Sequence, residues 1–303
     1  MSLFSRLVVG TAESPPIQRL ITRTRAGRQL AQRFVAGETL DQAAEVARRL
    51  NRSRMAVSLD LLGEEVTSPD EVEQAYKGYE ECLRRIADDD LDANISVKLT
   101  QLGLAIDQSL ATQTLDRLAA VARDLGLSIT IDMEDSRYTA ATVDLYRAAQ
   151  ELRGNLGLAL QAYLYRTPAD VNSLVGLRGH LRLCKGAYVE DRDVAFTDPD
   201  DVDAAFVRLL ETLMAADQVN LAVATHDPKL IEVTRRLAHI RGGRFEFQML
   251  YGVRTKAQRE LSAAGYPLRI YLPYGSHWYP YLVRRLGERP ANLALFLRAL
   301  VDR

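Results

Sequence analysis

The chain of 303 residues has little cysteine: Cys82 and Cys184 are its only two. Two cysteines cannot build a disulfide framework, and such usage fits a reducing compartment. No stretch approaches the roughly 18–20 apolar residues that cross a bilayer. The opening residues, MSLFSRLVVGTAESPP, hold a short apolar patch without a signal-peptide cleavage pattern. A soluble, cytoplasmic protein is expected. An excess of charge is also missing. The 39 Lys and Arg nearly balance 40 Asp and Glu, leaving a net charge of −1. Without a broad basic field, nucleic acid is excluded as a general partner. The four histidines, His180, His226, His239 and His277, lie far apart and show no HExxH or CxxC spacing, so no metal site is expected. There is no GxSxG elbow, no GxxxxGK[ST] loop, and no GxGxxG loop after a strand.

Apolar residues make up 47% of the chain, enough for a large core. Residues 1–52 read as an N-terminal helical arm. Within it Ile17, Leu20, Ile21, Leu30, Phe34 and Val35 fall at helical spacings, with Arg19, Arg23, Arg25, Arg28 and Arg33 between them. That basic face is either the solvated side of a packing arm or a peripheral contact with anionic lipid at the inner face of the membrane.

From residue 54 a rhythm begins. Strand-like runs occur at 55–60, 93–99, 128–133, 156–163, 180–186, 219–226, 244–250 and 267–274. Amphipathic helical patterns separate them, for example at 69–87, 107–125 and 228–240. Ser68-Pro69-Asp70-Glu71 and Asp227-Pro228 place a capping residue before a first-turn proline. Eight strands joined by helices imply parallel pairing. The chain length suits one (β/α)8 barrel, predicted over residues 53–303, better than an open doubly wound sheet.

Polar residues recur where these strands end: Asp60, Lys98, Asp132, Gln161, Lys185, Thr225 with His226, Gln248 and Tyr271. In a (β/α)8 barrel such ends converge on one rim, where catalytic groups gather. Within the fifth strand, alternation sets Arg182 and Cys184 on one face, either inside the barrel or under its helices. A buried arginine there needs a partner, from the protein or from a ligand above. Lys185 and the permissive Gly186 follow, suited to approaching a phosphate. Cys184, in an apolar strand, reads as packing.

In the last helix, Tyr281, Arg284, Arg285 and Glu288 stand at i, i+3, i+4 and i+7, on one face. Two arginines beside a tyrosine can receive a small carboxylate. The same pattern is equally that of a surface helix with Arg284 and Glu288 paired.

The segments SVKL (96–99), IDMED (131–135), LQAY (160–163), RLCKGAY (182–188), ATHD (224–227), FEFQML (245–250), RIYLPYG (269–275) and YLVRRLGER (281–289) together resemble proline dehydrogenase, the short monofunctional bacterial type. The resemblance implies a distorted (β/α)8 TIM barrel carrying noncovalent FAD over the strand ends. It implies oxidation of L-proline to 1-pyrroline-5-carboxylate by hydride transfer to flavin N5, with electrons passed to a quinone. By position, Arg182 would meet N5. Met133, Gln161, Thr225, His226, Gln248 and the segment Lys185, Gly186, Ala187 would hold other parts of FAD. Lys98, Arg284 and Arg285 would clamp the carboxylate, Asp132 would orient groups around Lys98, and Leu250, Tyr271 and Tyr281 would wall the ring. Glu64 would pair with Arg284 as a gate.

Two positions depart from the family pattern. Cys184 stands where another small apolar residue is common, and Asp227 stands where an asparagine is usual, adding negative charge near the cofactor. Another flavin barrel, of the methylenetetrahydrofolate reductase type, and a non-catalytic amino-acid-binding barrel are the competing readings.

Overall fold

Alternation along each strand decides how this barrel is filled. A computed structural model describes residues 32–63, 66–241 and 245–287, with side chains omitted at 239–241 and 284–287. Its elements follow in chain order. They are α1 (Leu40–Arg52), β1 (Ala56–Leu61), α2 (Pro69–Asp88), β2 (Ala93–Val97), α3 (Gln108–Asp124), β3 (Ile129–Ile131), α4 (Ser136–Arg153), β4 (Leu156–Gln161) and α5 (Thr167–Leu174). The second half comprises β5 (His180–Cys184), α6 (Pro199–Ala215), β6 (Asn220–Ala224), α7 (Pro228–Arg241), β7 (Phe245–Leu250), α8 (Thr255–Ala263), β8 (Leu268–Tyr274) and α9 (Trp278–Gly287).

The eight strands pair in sequence order, all parallel, and β8 closes on β1. Every strand expected from the sequence is present within two or three residues of its predicted ends. Parallel pairing forces a crossover after each strand, and the amphipathic helices supply it. The helix starts are built as their sequences suggest. Ser68 accepts from Glu71 N while Glu71 reaches back to the Ser68 backbone, with Pro69 in the first turn. Asp227 accepts from Lys229 N at 2.9 Å.

Residues at one parity are apolar and join the helices in a continuous buried core: Val57 and Leu59, Ile95 and Val97, Leu181 and Leu183, Phe247 and Met249. At the other parity stand Ser58, Ser96, Thr130, Arg182 and Gln248, all buried. Arg182 on β5 donates to Ser96 on β2 and Gln248 on β7, contacts possible only through the barrel interior. This barrel is therefore lined by polar and small side chains, where branched apolar layers are usual. Ser58 Oγ and Ser96 Oγ lie 2.9 Å apart, and Asn94 Nδ2 donates to Thr130 Oγ1 at 3.0 Å, so the lining pairs its own polar groups.

The slot between β8 and β1, where the ring helix after the last strand ordinarily packs, is filled by α1. It contacts both strands and buries Ala43, Ala44, Val46 and Ala47. The chain reaches it along the rim, with Ala36 N donating to Pro273 O at 2.8 Å and Gly275 N to Gly37 O at 2.9 Å. With that slot occupied, α9 begins over the strand ends, where Tyr281 lines the same cavity as Lys98 and Arg182.

Gly252 ties the rim segment to the β7–α8 turn. It has φ +73°, and an added Cβ would fall 1.6 Å from Arg33 O. Gly252→Ala combines left-handed strain with a backbone clash and is expected to lower stability by about 1–3 kcal/mol. Denaturant midpoints of the two proteins check it; an unchanged midpoint would count against the docking of residues 33–38 on this turn.

Candidate active site at the barrel rim

The carboxyl ends of β1–β8 carry the side chains that meet above the barrel. One cavity of about 530 Å³ lies there. Every described residue expected to bind substrate or cofactor lines it, from Lys98, Asp132 and Arg182 to Leu250, Tyr271 and Tyr281, together with the anticipated flavin contacts. Glu64 lies outside the described residues. Arg284 and Arg285 belong to α9, but their side chains lie outside the description as well.

At the floor, four charges alternate. Lys98 Nζ lies 2.7 Å from Asp60 Oδ1 and 3.6 Å from Asp132 Oδ2, and Arg182 Nη1 lies 2.6 Å from Asp132 Oδ1. Burial opposes the charge on Lys98, but Asp60 and Asp132 outweigh it and hold its pKa above the ordinary lysine value. Tyr271 donates to Asp132 Oδ2 at 2.6 Å, and burial together with that carboxylate pushes the phenol well up, so it stays a donor. Two carboxylates and two cations balance, leaving this floor neutral.

Arg182 answers the requirement that a buried arginine be partnered. Its Nε donates to Gln248 Oε1, Nη1 to Asp132 and Nη2 to Ser96 Oγ at 3.0 Å, and its guanidinium carbon sits 5.3 Å from the Tyr271 ring centroid. Three of five N–H groups are thus engaged by the protein, leaving two for a ligand. The neighbours of Arg182 in register are Ala159 and Ala222, small enough to let the guanidinium cross the barrel.

Around the cavity the anticipated cofactor residues hold one another. Gln161 accepts from Ala187 N at 3.0 Å and donates to Glu134 O at 2.9 Å, which pins the loop after β5. Gly186 in that loop has φ +137°, and a Cβ there would lie 2.4 Å from the Tyr163 ring, so only glycine fits. His226 Nε2 accepts from Leu250 N at 3.0 Å, bracing the end of β7. Lys185 Nζ is shared between Asp227, at 2.9 Å, and Asp203. Asp227 thus has a cationic partner inside the protein, although one ammonium serves two carboxylates. Burial pushes the Cys184 thiol up to about 12, and its Sγ donates to Leu160 O, as suits a packed thiol.

Ala159, Ala224, Met133 and Met249 line this cavity together with the polar Arg182, Gln248, Thr225 and Lys98. That donor set fits a flat, largely apolar ring with polar edge atoms, such as a flavin. Sequence reading passed over Tyr188, which lines the cavity, and the pairing of Asp60 with Lys98. Asp60 is legible as a polar strand end; Tyr188 closes the RLCKGAY segment but sits in a loop that periodicity does not reach.

Below the cavity His180 is pushed down to about 4, chiefly by burial. Arg182 and Arg269 act in the same direction and Glu246 against it. An unfolded histidine titrates near 6.5. Between these values the unfolded chain binds the extra proton, so this contribution is complete above about pH 6.5 and lost as pH falls towards 4. Unfolding free energies across that window should drop by roughly 2–3 kcal/mol more in the wild type than in His180→Gln. Parallel profiles would show that His180 does not carry the slope.

The proline dehydrogenase family model matches residues 43–297. Proline dehydrogenase 1 of Bacillus subtilis subsp. natto is 40% identical over 276 residues, covering 90% of this chain and 91% of its own. The proline dehydrogenase of Deinococcus radiodurans is 37% identical over 308 residues, covering 99% and 98%. A crystal structure of proline utilization A from Bdellovibrio bacteriovorus inactivated by N-propargylglycine superposes with a TM-score of 0.81 at 22% identity. It covers 90% of this chain, which spans 35% of that longer one, and it supports the barrel fold. With a matched family model across most of its length and full-length relatives at this identity, the chain belongs to the proline dehydrogenase family.

Proposed function

We propose that this enzyme oxidises L-proline to 1-pyrroline-5-carboxylate with FAD held in the rim cavity, and that a quinone takes the electrons. The observation that carries the reading is the neutral floor of Asp60, Lys98, Asp132 and Arg182 beneath a cavity walled by tyrosines. A bound carboxylate adds one negative charge to a balanced set. Arg284 and Arg285 on α9, at i and i+1 and one turn beyond Tyr281, are the cations that would offset it.

In this reading Lys98, Arg284 and Arg285 clamp the carboxylate, and Glu64 gates the entrance by pairing with Arg284. Asp132 is the orienting group, since it meets Lys98, Arg182 and Tyr271 together. Leu250, Tyr271 and Tyr281 wall the ring and exclude water from it. Held by its carboxylate, the ring presents C5 in one direction, an orientation effect that removes much of the entropic barrier. The C5–H bond breaks with its electron pair as the nitrogen lone pair closes the C5=N bond, so the amine must be neutral.

FAD, when bound, supplies the acceptor for that hydride, tuned by charge near its reactive edge. Arg182 is the residue that would provide the charge. Met133, Gln161, Thr225, His226, Gln248 and Lys185–Ala187 would hold the remainder.

Residues 53–303 form the catalytic barrel in this proposal, and residues 1–52 an arm whose helix α1 closes the ring. Among the described residues no helix is long and apolar enough to cross a membrane. The basic arm would make a peripheral contact with a membrane surface, where a quinone resides.

Anaerobic addition of L-proline to the yellow holoprotein should bleach the flavin absorbance, and a soluble quinone should restore it. Flavin that stays oxidised in the presence of excess proline would refute the activity. Arg285→Met should raise the KM for proline by about a hundredfold, the loss expected for one charge-assisted carboxylate contact, while flavin content stays unchanged. An unaltered KM would remove Arg285 from the clamp.

A further inference from the structure

Beneath the cavity, β7 and β8 carry a second ion pair that the proposed chemistry does not use. Arg269 Nε lies 2.9 Å from Glu246 Oε1, and Arg269 Nη1 donates to Val57 O at 2.9 Å. Two residues further along β7, on the same inward parity, stands Gln248. Its Nε2 donates to Glu246 Oε1 and lies 3.4 Å from His180 Nε2, and its Oε1 accepts from Arg182 Nε.

A primary amide has a donor end and an acceptor end, and here the two ends meet opposite requirements. A carboxylate only accepts and a guanidinium only donates. Reversing the Gln248 amide would set its nitrogen against the Arg182 N–H and its oxygen against the Glu246 carboxylate. Both mismatches would lie in a buried, low-dielectric interior, where unpaired polar groups are costly. We propose that Glu246 is a positioning residue: it fixes the direction of the Gln248 amide and thereby aims the Arg182 guanidinium at the cavity. The inference rests on the flavin-dependent reading given above.

Two further features support it. The register neighbours Ala159 and Ala222 are too small to hold Arg182 by packing, so its orientation depends on hydrogen bonds to Gln248, Asp132 and Ser96 and on the Tyr271 ring beneath the guanidinium face. Burial favours the neutral form of Glu246, but Arg269, His180 and Gln248 together outweigh it and keep the group below the ordinary glutamate value, ionised and acceptor-only. His180, neutral near pH 7, can accept the second N–H of Gln248, which holds the amide at its lower end twice over.

The test uses Glu246→Gln holoenzyme and reads the midpoint potential of its flavin, the rate of anaerobic reduction by L-proline, and the KM. The sign of the potential shift separates positioning from a direct field. Removing a distant negative charge alone would make the flavin easier to reduce. Losing a well-aimed Arg182 makes it harder, because the cation stabilises the electron-rich reduced ring. The expected result is a negative shift in potential, a reduction rate lowered roughly tenfold or more, and a KM within about twofold of wild type. In a Gln248→Met background, Glu246→Gln should give no further negative shift, since its route to Arg182 is already cut and only the direct field remains.

An unchanged or positive potential in Glu246→Gln alone, or a further negative shift in the Gln248→Met background, overturns the proposal. If Glu246→Gln alone does not yield flavin-loaded protein, Glu246→Gln with Arg269→Gln leaves no unpaired buried charge and should give the same negative shift; a potential equal to wild type in that variant overturns it equally. A wild-type protein that binds no flavin would sink the functional reading and this inference together. A wild type reduced by proline and matched by the variant sinks the inference alone.

Discussion

A guanidinium placed inside a parallel barrel is the constraint around which this molecule is organised. Arg182 cannot be left alone there, because an unpaired buried charge costs several kcal/mol. The barrel answers with Asp132 from β3, Gln248 from β7 and Ser96 from β2. Each partner brings obligations of its own. Asp132 draws in Lys98 and Tyr271, Lys98 draws in Asp60, and Gln248 draws in Glu246 with Arg269. The polar interior is the consequence of seating one cation where it can face a ligand at the rim. The apolar parity of the same strands, packed on the helices, supplies the stability that such an interior does not.

The second organising feature is the exchange of helices around the closing seam. In a regular barrel the element after β8 would cover the seam with β1. Here α1 covers it with a face of small residues, Ala43, Ala44 and Ala47, that lets the helix lie close. The short link from β8 to α9 then delivers Tyr281 to the cavity. An N-terminal segment and the C-terminal helix thus cooperate in shaping one site, although they are far apart along the chain. Residues 33–38 provide the connection, hydrogen-bonded to the strand that α9 follows.

Much of the site could be read from residue types at strand ends. Lys98, Asp132, Gln161, Lys185 and Gln248 are polar residues that close apolar runs, and all of them line the cavity. Asp227 looked like a misplaced charge, because nothing local indicates that Lys185 lies 2.9 Å away. Gln161 lines the cavity and also braces the protein, since one N–H of its amide donates to Glu134 O and its oxygen accepts from Ala187 N. Glu246 and Arg269 give no such signal, since each sits within a strand, where a charge has no obvious purpose until its partner on the neighbouring strand is known. The alternation Ser58, Asp60 against Val57, Leu59 was nonetheless present in the letters, and it marks an interior that is not the usual oily one.

From the amino-acid order alone came the count and sequence of strands, the starts of capped helices and the family resemblance. All of these depend on local periodicity or on short contiguous motifs. Closure of the barrel decided which of those residues meet. Arg182 and Ser96 are separated by 86 positions, and Tyr271 and Asp132 by 139, yet each pair lies within hydrogen-bond distance. Contacts of that kind arise from register and shear between strands, which no single segment encodes.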